Sequence, residues 1–423
     1  MWYKFEFIVT LLLFLILIIK FSKNVKTKDT FLLGKRDFDA KNVSYVIVGT
    51  LVGGASTVGT VQMAFLYGLP AIIFTFGSGI ACLILGLFFS RALRESEVVT
   101  VSEFIGRSFG ESIRKYSSFL SSSGIFIHIV AQYLASAAII SSVLNISFKI
   151  SLIITLFLLA CMVVFGGIVS SAFIGKVKFY ILYLLMICST LIVLYKSHFF
   201  KDVLNNLPKG RDWFGFADYG YKKGWVDFLS MVIGVISTQT YLQAIFSAKN
   251  VKEARKGALI SAAVIPPIGF MGVVVGLYLR AYHPEIGSLS AKALPFFISN
   301  YFPGWLGVIL NAFLLVIVLG TGAGLALGVS TNLYNDIFRK KEGINYLRWI
   351  TFLAIFGAFL IVLSGGGRKI LDWSFLSMGL RGFTVFLPLL YLLFFNKLDS
   401  LFLKNLIKLM IFVLPIAYII MNL

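Results

Sequence analysis

The stretch VSYVIVGTLVGGASTVGTVQMAFLY, residues 43–67, has the length and apolarity of a bilayer span, yet its centre is small and polar. Gly53, Gly54, Ser56, Thr57, Gly59, Thr60 and Gln62 stand where a plain anchor would carry Leu and Ile. Lipid cannot hydrogen-bond loose backbone, so such an interruption survives only against protein or around a water-filled cavity. Secondary transporters use broken spans to present carbonyls and helix ends to ions and substrates at mid-membrane. Gly and Ser also line tight helix contacts in membranes. On this segment alone, packing and binding stand as equal readings.

The rest of the chain sets the class. It is 59% hydrophobic and 13% charged, with a mean hydropathy of +0.92, whereas a soluble domain is about 45–50% apolar and about 25% charged. This composition is that of a polytopic membrane protein. The net charge of +20 would suggest nucleic acid in a soluble protein. Here most Lys and Arg fall between apolar runs, so a positive excess at the membrane surface explains them and no nucleic-acid partner is expected. Cys82, Cys161 and Cys188 all lie within apolar spans, with neither metal-ligand spacing nor a disulfide framework. Residues 4–21 read as a retained first helix, because only Lys4 leads the run and no small-residue cleavage site follows.

About 20 apolar residues cross a bilayer core. By that ruler spans are expected near 4–21, 43–66, 69–90, 117–144, 148–166, 174–195, 226–247, 257–281, 304–337, 346–365, 370–395 and 402–421. The expectation is therefore an all-α integral membrane protein of about twelve transmembrane helices, one domain over 1–423, multi-pass in the cell (inner) membrane. Basic residues crowd the odd-numbered connections: Lys20, Lys23, Lys26, Lys28, Lys35, Arg36 and Lys41; Arg91, Arg94, Arg107, Arg114 and Lys115; Lys249, Lys252, Arg255 and Lys256; Arg339, Lys340 and Lys341. The positive-inside bias makes that side cytoplasmic and places both termini outside. The connection 196–225 is also basic but includes Asp202, Asp212 and Asp218. Segment 284–303 is amphipathic and too polar to span, and reads as a short helix over the external mouth. Pro266-Pro267 is expected to disrupt the eighth span, because proline removes a donor and clashes one turn back.

Several local patterns, in order, resemble the sodium:solute symporter family. They are Gly34-Lys35-Arg36-Asp37-Phe38, the broken helix, Val101-Ser102-Glu103-Phe104 with Arg107-Ser108-Phe109-Gly110, and Gln132 in the fourth span. Further on come Tyr241-Leu242-Gln243 running into 248–257, Ala293-Leu294-Pro295-Phe296, Asn335-Asp336-Ile337-Phe338 and Trp373-Ser374-Phe375. The resemblance implies an inverted 5+5 repeat of the leucine-transporter type. Residues 43–395 would form the ten-helix core, with broken core helix one at 43–66, and 4–21 and 402–421 as extra helices. It also implies alternating access around a midplane site between core helices one, three, six, eight and ten.

The same resemblance implies a sodium ion between core helices one and eight. Its ligands would be carbonyls near Gly49 and Val52, the carbonyl of Ile317, and hydroxyls at positions 320 and 321. Thr321 keeps its hydroxyl, Gly320 has none, and Thr331 is a candidate to compensate. After Gly166-Gly167 the family usually shows a Thr-Asp pair; here Ile174 and Gly175 stand there, followed by Lys176 and Lys178. Either lysine could reach the ion site and take over the sodium's charge, with protonation doing the coupling. Snorkelling to the interface is the alternative reading.

Arg381 falls about eleven residues into its span, near the bilayer centre, where a charge costs at least about 2.5 kcal/mol and is a functional candidate by default. An anionic solute could supply the missing charge; helix-end carbonyls and water could equally satisfy the guanidinium. His128 and Gln132 share a helix face one turn apart, as substrate-route residues or as a helix tie. Ser56, Thr57 and Gln62 are the candidates on the broken helix. The expected function is cation-coupled symport of a small polar or anionic organic solute, with Na+ or H+ as partner ion, no cofactor and no obligate protein partner. A sodium-independent or proton-coupled carrier with a lysine replacing the ion is the alternative within transport. A non-transporting membrane sensor is the alternative of another class. No acid, base or nucleophile constellation points to an enzyme.

Overall fold

The computed structural model describes residues 2–22, 36–165, 168–338, 344–365, 369–395 and 401–422. Gly34, Lys35, Gly166, Gly167, Arg339, Lys340, Lys341 and the lysines at 23, 26 and 28 lie outside the described residues. Among the described residues there is no strand, only an isolated bridge between Phe38 and Ala248. That outcome is what lipid demands, since a helix pairs its own backbone donors and acceptors.

In chain order the helices are α1 (Trp2–Ser22), α2 (Ala40–Leu51), α3 (Ala55–Tyr67), α4 (Leu69–Glu95), α5 (Val101–Phe109), α6 (Glu111–Leu144), α7 (Phe148–Phe165) and α8 (Ile168–Lys196). The second half comprises α9 (Tyr221–Ile236), α10 (Gln239–Phe246), α11 (Val251–Tyr282), α12 (Ala293–Tyr301), α13 (Gly304–Asn332), α14 (Ile344–Leu363), α15 (Ile370–Leu390) and α16 (Leu401–Asn422). Among the described residues nine helices are long and apolar enough to cross a membrane, or ten if the bent pair α2–α3 counts as one span. The expected twelve would also require α1 and α7, and α7 has only a short apolar stretch, Phe148–Met162.

Two spans are interrupted. α2 and α3 meet at a 62° bend at Val52–Gly54. The sequence reading missed the second break: the span 226–247 divides at Ser237 and Thr238 into α9 and α10. The long helix α6 packs against α13 and α15, while α11 packs against α2, α3 and α4, and α8 against α2. Pro266 and Pro267 do not divide α11. A Cβ at Gly79 of α4 would come within 2.4 Å of Pro266, so the glycine leaves room for the ring and the helix runs on. Residues 284–292 form a 3-10 turn that leads into α12, and both lie against α3 and α6, as expected of a cover over one mouth.

The opposite, Lys- and Arg-rich face is sealed by residues from the family-like patterns. Phe38 N–H donates to Ser247 O (3.0 Å), Lys249 N–H to Phe38 O (3.0 Å), and Ala40 N–H to Glu253 Oε2 (2.7 Å). Buried Asp336 accepts from Arg114 Nε (2.7 Å) and Thr100 Oγ1 (2.9 Å). These residues close the Lys- and Arg-rich side and take no part in the site at the break.

Candidate functional site

The break between α2 and α3 is held by its own side chains. Ser56 Oγ accepts from Gly53 N–H (2.8 Å), and Thr57 Oγ1 donates to Gly53 O (2.6 Å). Both hydroxyls therefore serve the loosened backbone. Gln62 lies further out, donating to Ser290 Oγ and accepting from Ile370 N–H, each at 3.3 Å. It ties the outer half of the broken helix to the cover and to α15. Gln132 comes to the break itself, its Oε1 accepting from Gly54 N–H at 2.9 Å. A Cβ at Gly53 would sit 2.3 Å from Thr321 Oγ1, so glycine is what lets the break touch α13.

At that contact the expected cation ligands do converge. Thr321 Oγ1 lies 3.3 Å from each of Gly49 O, Val52 O and Ile317 O. Lys178 Nζ is there as well, 2.5 Å from Gly49 O and 2.6 Å from Thr321 Oγ1, with the side chain 1% exposed. The sequence arranges this directly. A Cβ at Gly175 would meet Tyr45 O at 1.9 Å, so glycine lets α8 lie against α2. Lys178, three residues along α8, then faces Gly49, four residues along α2. Lys176 is exposed on the other side of the helix. Thr331 spends its hydroxyl on Leu327 O at 2.7 Å and does not reach the site. Position 320 contributes no oxygen. With the ammonium in place these ligands do not fit a sodium ion, since the two cations would compete for the same carbonyl and hydroxyl.

Arg381 is fully buried. Its Nε donates to Ser377 O (3.1 Å) and its Nη2 to Ser377 Oγ (2.8 Å), with His128 Nδ1 3.3 Å from Nη2. The Tyr241 hydroxyl of α10 lies beside the guanidinium, and Phe74 stands edge-on to His128 at 6.3 Å. No carboxylate pairs with Arg381 among the described residues. Asp372, nine residues before Arg381, is taken by Lys223 (3.4 Å), as is Asp227 of α9 (2.9 Å). The structure thus gathers Gln132, Gly49, Val52, Ile317, Thr321 and Lys178 around the break, and sets Arg381 against His128, one turn before Gln132 on α6. Ser56 and Thr57 face the break's own backbone, and Gln62 and Lys176 lie away from it. Tyr241 escaped sequence reasoning as a site residue, although the polar run Ser237-Thr238-Gln239-Thr240 inside an apolar span was its available signal.

Two interrupted helical runs around a buried polar centre, with nine or ten helices among the described residues long and apolar enough to cross a membrane, define a multi-pass membrane protein of the transporter type. Residues 31–398 match the sodium:solute symporter family, and the chain belongs to it. It is a secondary active transporter of the symporter class and not an enzyme. The chain is 24% identical over 381 residues to the uncharacterized symporter YwcA of Bacillus subtilis (strain 168), covering 81% of this chain and 74% of that protein. It is 22% identical over 391 residues to the human high affinity choline transporter 1, covering 86% and 67%. A solved Na+-coupled sialic acid symporter, in a substrate-bound outward-open state, superposes with a TM-score of 0.78 at 15% identity, covering 99% of this chain and 97% of that one. The fold is therefore of the leucine-transporter type.

Proposed function

We propose that this symporter moves a small polar or anionic organic solute with Lys178 in the place of the coupling ion, so that protons and not sodium drive accumulation. The observation that carries this reading is the Lys178 ammonium within 2.6 Å of two expected sodium ligands. A protonated Lys178 clamps α2 to α13 as a bound cation would. On losing its proton it can still donate a hydrogen bond but no longer brings a charge, and the clamp weakens. Lys178 is buried and forms no ion pair among the described residues, so proton occupancy is what changes the charge there.

Transport would proceed by alternating access between the two mouths, within one transmembrane domain whose core runs over 43–395. The flanking helices 4–21 and 402–421 pack outside that core, and no partner protein is required. A choline cargo, as named for the human relative, would set a fixed cation near Arg381 and is disfavoured. The test is solute uptake into proteoliposomes under imposed gradients. Accumulation should follow an inward proton gradient, ignore sodium, and lose its proton dependence in Lys178→Gln while Lys176→Gln behaves as wild type. Uptake driven by sodium alone, or an unchanged pH profile in Lys178→Gln, would overturn the reading.

A further inference from the structure

The midplane around Arg381 is unusual in what it lacks. Arginine only donates, so His128 Nδ1 must accept the contact from Nη2, which puts the ring hydrogen on Nε2. Gln132 Oε1 already accepts from Gly54 N–H, which turns its amide nitrogen the other way. Arg381 Nη1, His128 Nε2, Gln132 Nε2 and the Tyr241 hydroxyl make no hydrogen bond of normal geometry to another residue, although the hydroxyl lies beside the guanidinium and interacts with its charge. The parent residues are all 1% exposed or less. Three of these four are donors only, and the fourth can donate. A buried donor left unpaired costs about 1–3 kcal/mol. A set of donors around one uncompensated cation is complementary to a group that only accepts and carries a single negative charge.

The outer mouth has the same sign. Where α3 ends, the Arg280 guanidinium lies 5.3 Å from the Phe65 ring centre and 5.6 Å from that of Trp213, while Arg211 lies 5.7 Å from the same indole. Lys369 sits 4.4 Å from the Tyr67 ring centre and donates to its hydroxyl. None of these three cations has a carboxylate partner among the described residues. Asp212 accepts from Gly215 and Ala217 N–H in its own loop, and Asp227 and Asp372 share Lys223. Lys369 and Arg381 are twelve residues apart on one helical run, about 18 Å. Three cations without a carboxylate partner, each against an aromatic face, therefore stand at the outer end of the bundle whose interior holds the donor set.

We propose that the solute is a small organic monocarboxylate, gathered at the mouth by Arg211, Arg280 and Lys369 and held at the midplane by Arg381, Tyr241 and His128. One net charge at the clamp matches one carboxylate, and the planar guanidinium edge matches its two oxygens. Phe74 and Phe375, with ring centres 6.1 Å apart beside His128, offer the apolar body of the solute an aromatic wall. The proposal deepens the carrier reading but does not rest on Lys178 or on the coupling ion.

It is tested on purified full-length protein in detergent, at fixed pH and without gradients, by ligand-dependent thermal unfolding. The probes are propionate and benzoate, their amides, inorganic phosphate and tetramethylammonium. Both carboxylates should raise the midpoint saturably, whereas the amides, phosphate and the quaternary ammonium should not. Arg381→Met should abolish the response and unfold, unliganded, no lower than wild type, because it removes an unpaired buried charge. Arg381→Lys should keep the response with affinity about tenfold weaker, the cost of the lost fork. Four results overturn the proposal: amides matching acids; a response surviving in Arg381→Met; no carboxylate response up to about 100 mM, where even a millimolar site saturates; or a lowered unliganded midpoint in Arg381→Met, which is the mark of a structural cation. Failure here leaves proton-driven uptake standing, and failure of proton coupling leaves this binding result untouched.

Discussion

Lys178 and Arg381 are both cations sealed in the middle of the membrane, and they differ in how they are satisfied. Lys178 ends on a carbonyl and a hydroxyl that converge on it at 2.5 and 2.6 Å. Arg381 is anchored along one edge by Ser377 while Nη1 on the other edge has no partner. Equal burial therefore carries opposite meanings. On the proposed readings, the lysine fills a site that suits a cation and the arginine presents one to an anion. Arg114 gives the third case, an ordinary buried pair with Asp336 at 2.7 Å. Desolvation is a heavy cost for all three, of order several kcal/mol per ion, and only Arg114 offsets it with a carboxylate.

The largest effect should come from exchanging the roles at the first site. Lys178→Ala vacates the space between Gly49, Val52, Ile317 and Thr321, and Gly320→Ser adds the oxygen that position lacks. The double variant should lose proton-driven accumulation by more than about tenfold, a free-energy change of about 1.4 kcal/mol, and should acquire sodium-dependent uptake. Isotope-flux measurements with and without sodium read both changes at once. If the double variant stays indifferent to sodium, the carbonyls around Thr321 are a lysine socket and nothing more.

The comparison also marks where sequence reasoning works. The break at Val52–Gly54 was legible because glycines and hydroxyls interrupt an otherwise aliphatic run. Lys178 was legible as one of two lysines just after the position where the family-like pattern has an acid, and Gly175, which stands at that position, gave no hint of the contact it permits. The second break, at Ser237–Thr238, was harder to read, since only the polar run Ser237-Thr238-Gln239-Thr240 marks it and the flanking apolar stretches read as one span. The mouth was invisible for another reason. Arg211 comes from a loop, Arg280 from the end of α11 and Lys369 from the start of α15, and only tertiary packing brings Arg280 and Lys369 to Phe65 and Tyr67 at the end of α3 and Arg280 to the Trp213 beside Arg211. Pro266-Pro267 misled in the opposite direction, because the glycine that accommodates Pro266 sits on a different helix.

A smaller effect separates the paired cation from the unpaired one. Asp336→Asn removes the nearer of the two carboxylates that offset Arg114 and leaves that guanidinium with Glu103 alone, at 4.0 Å. Unfolding stability should fall by about 3 kcal/mol, in contrast to the neutral or favourable change expected for Arg381→Met. Thermal or denaturant unfolding of the two variants side by side is the measurement. Equal destabilisation would mean that Arg381 is as structural as Arg114, and the distinction between them would collapse.

The smallest effect belongs to the mouth, where the charges remain partly in water. Arg280→Gln removes one of three like charges without touching the donor set around Arg381, so saturating uptake should be unchanged. What should fall, by a few-fold, is the rate of carboxylate capture at low ionic strength, because a focused positive field raises the local concentration of an anion. That loss should vanish near 0.15 M salt and above, where the screening length of about 8 Å is shorter than the distance from the mouth to the midplane. Stopped-flow association at several salt concentrations distinguishes the two effects. A defect that persists at high salt would assign Arg280 a direct contact with the solute and move the binding site outward. A defect that disappears leaves the mouth as a collector and Arg381 as the residue that holds.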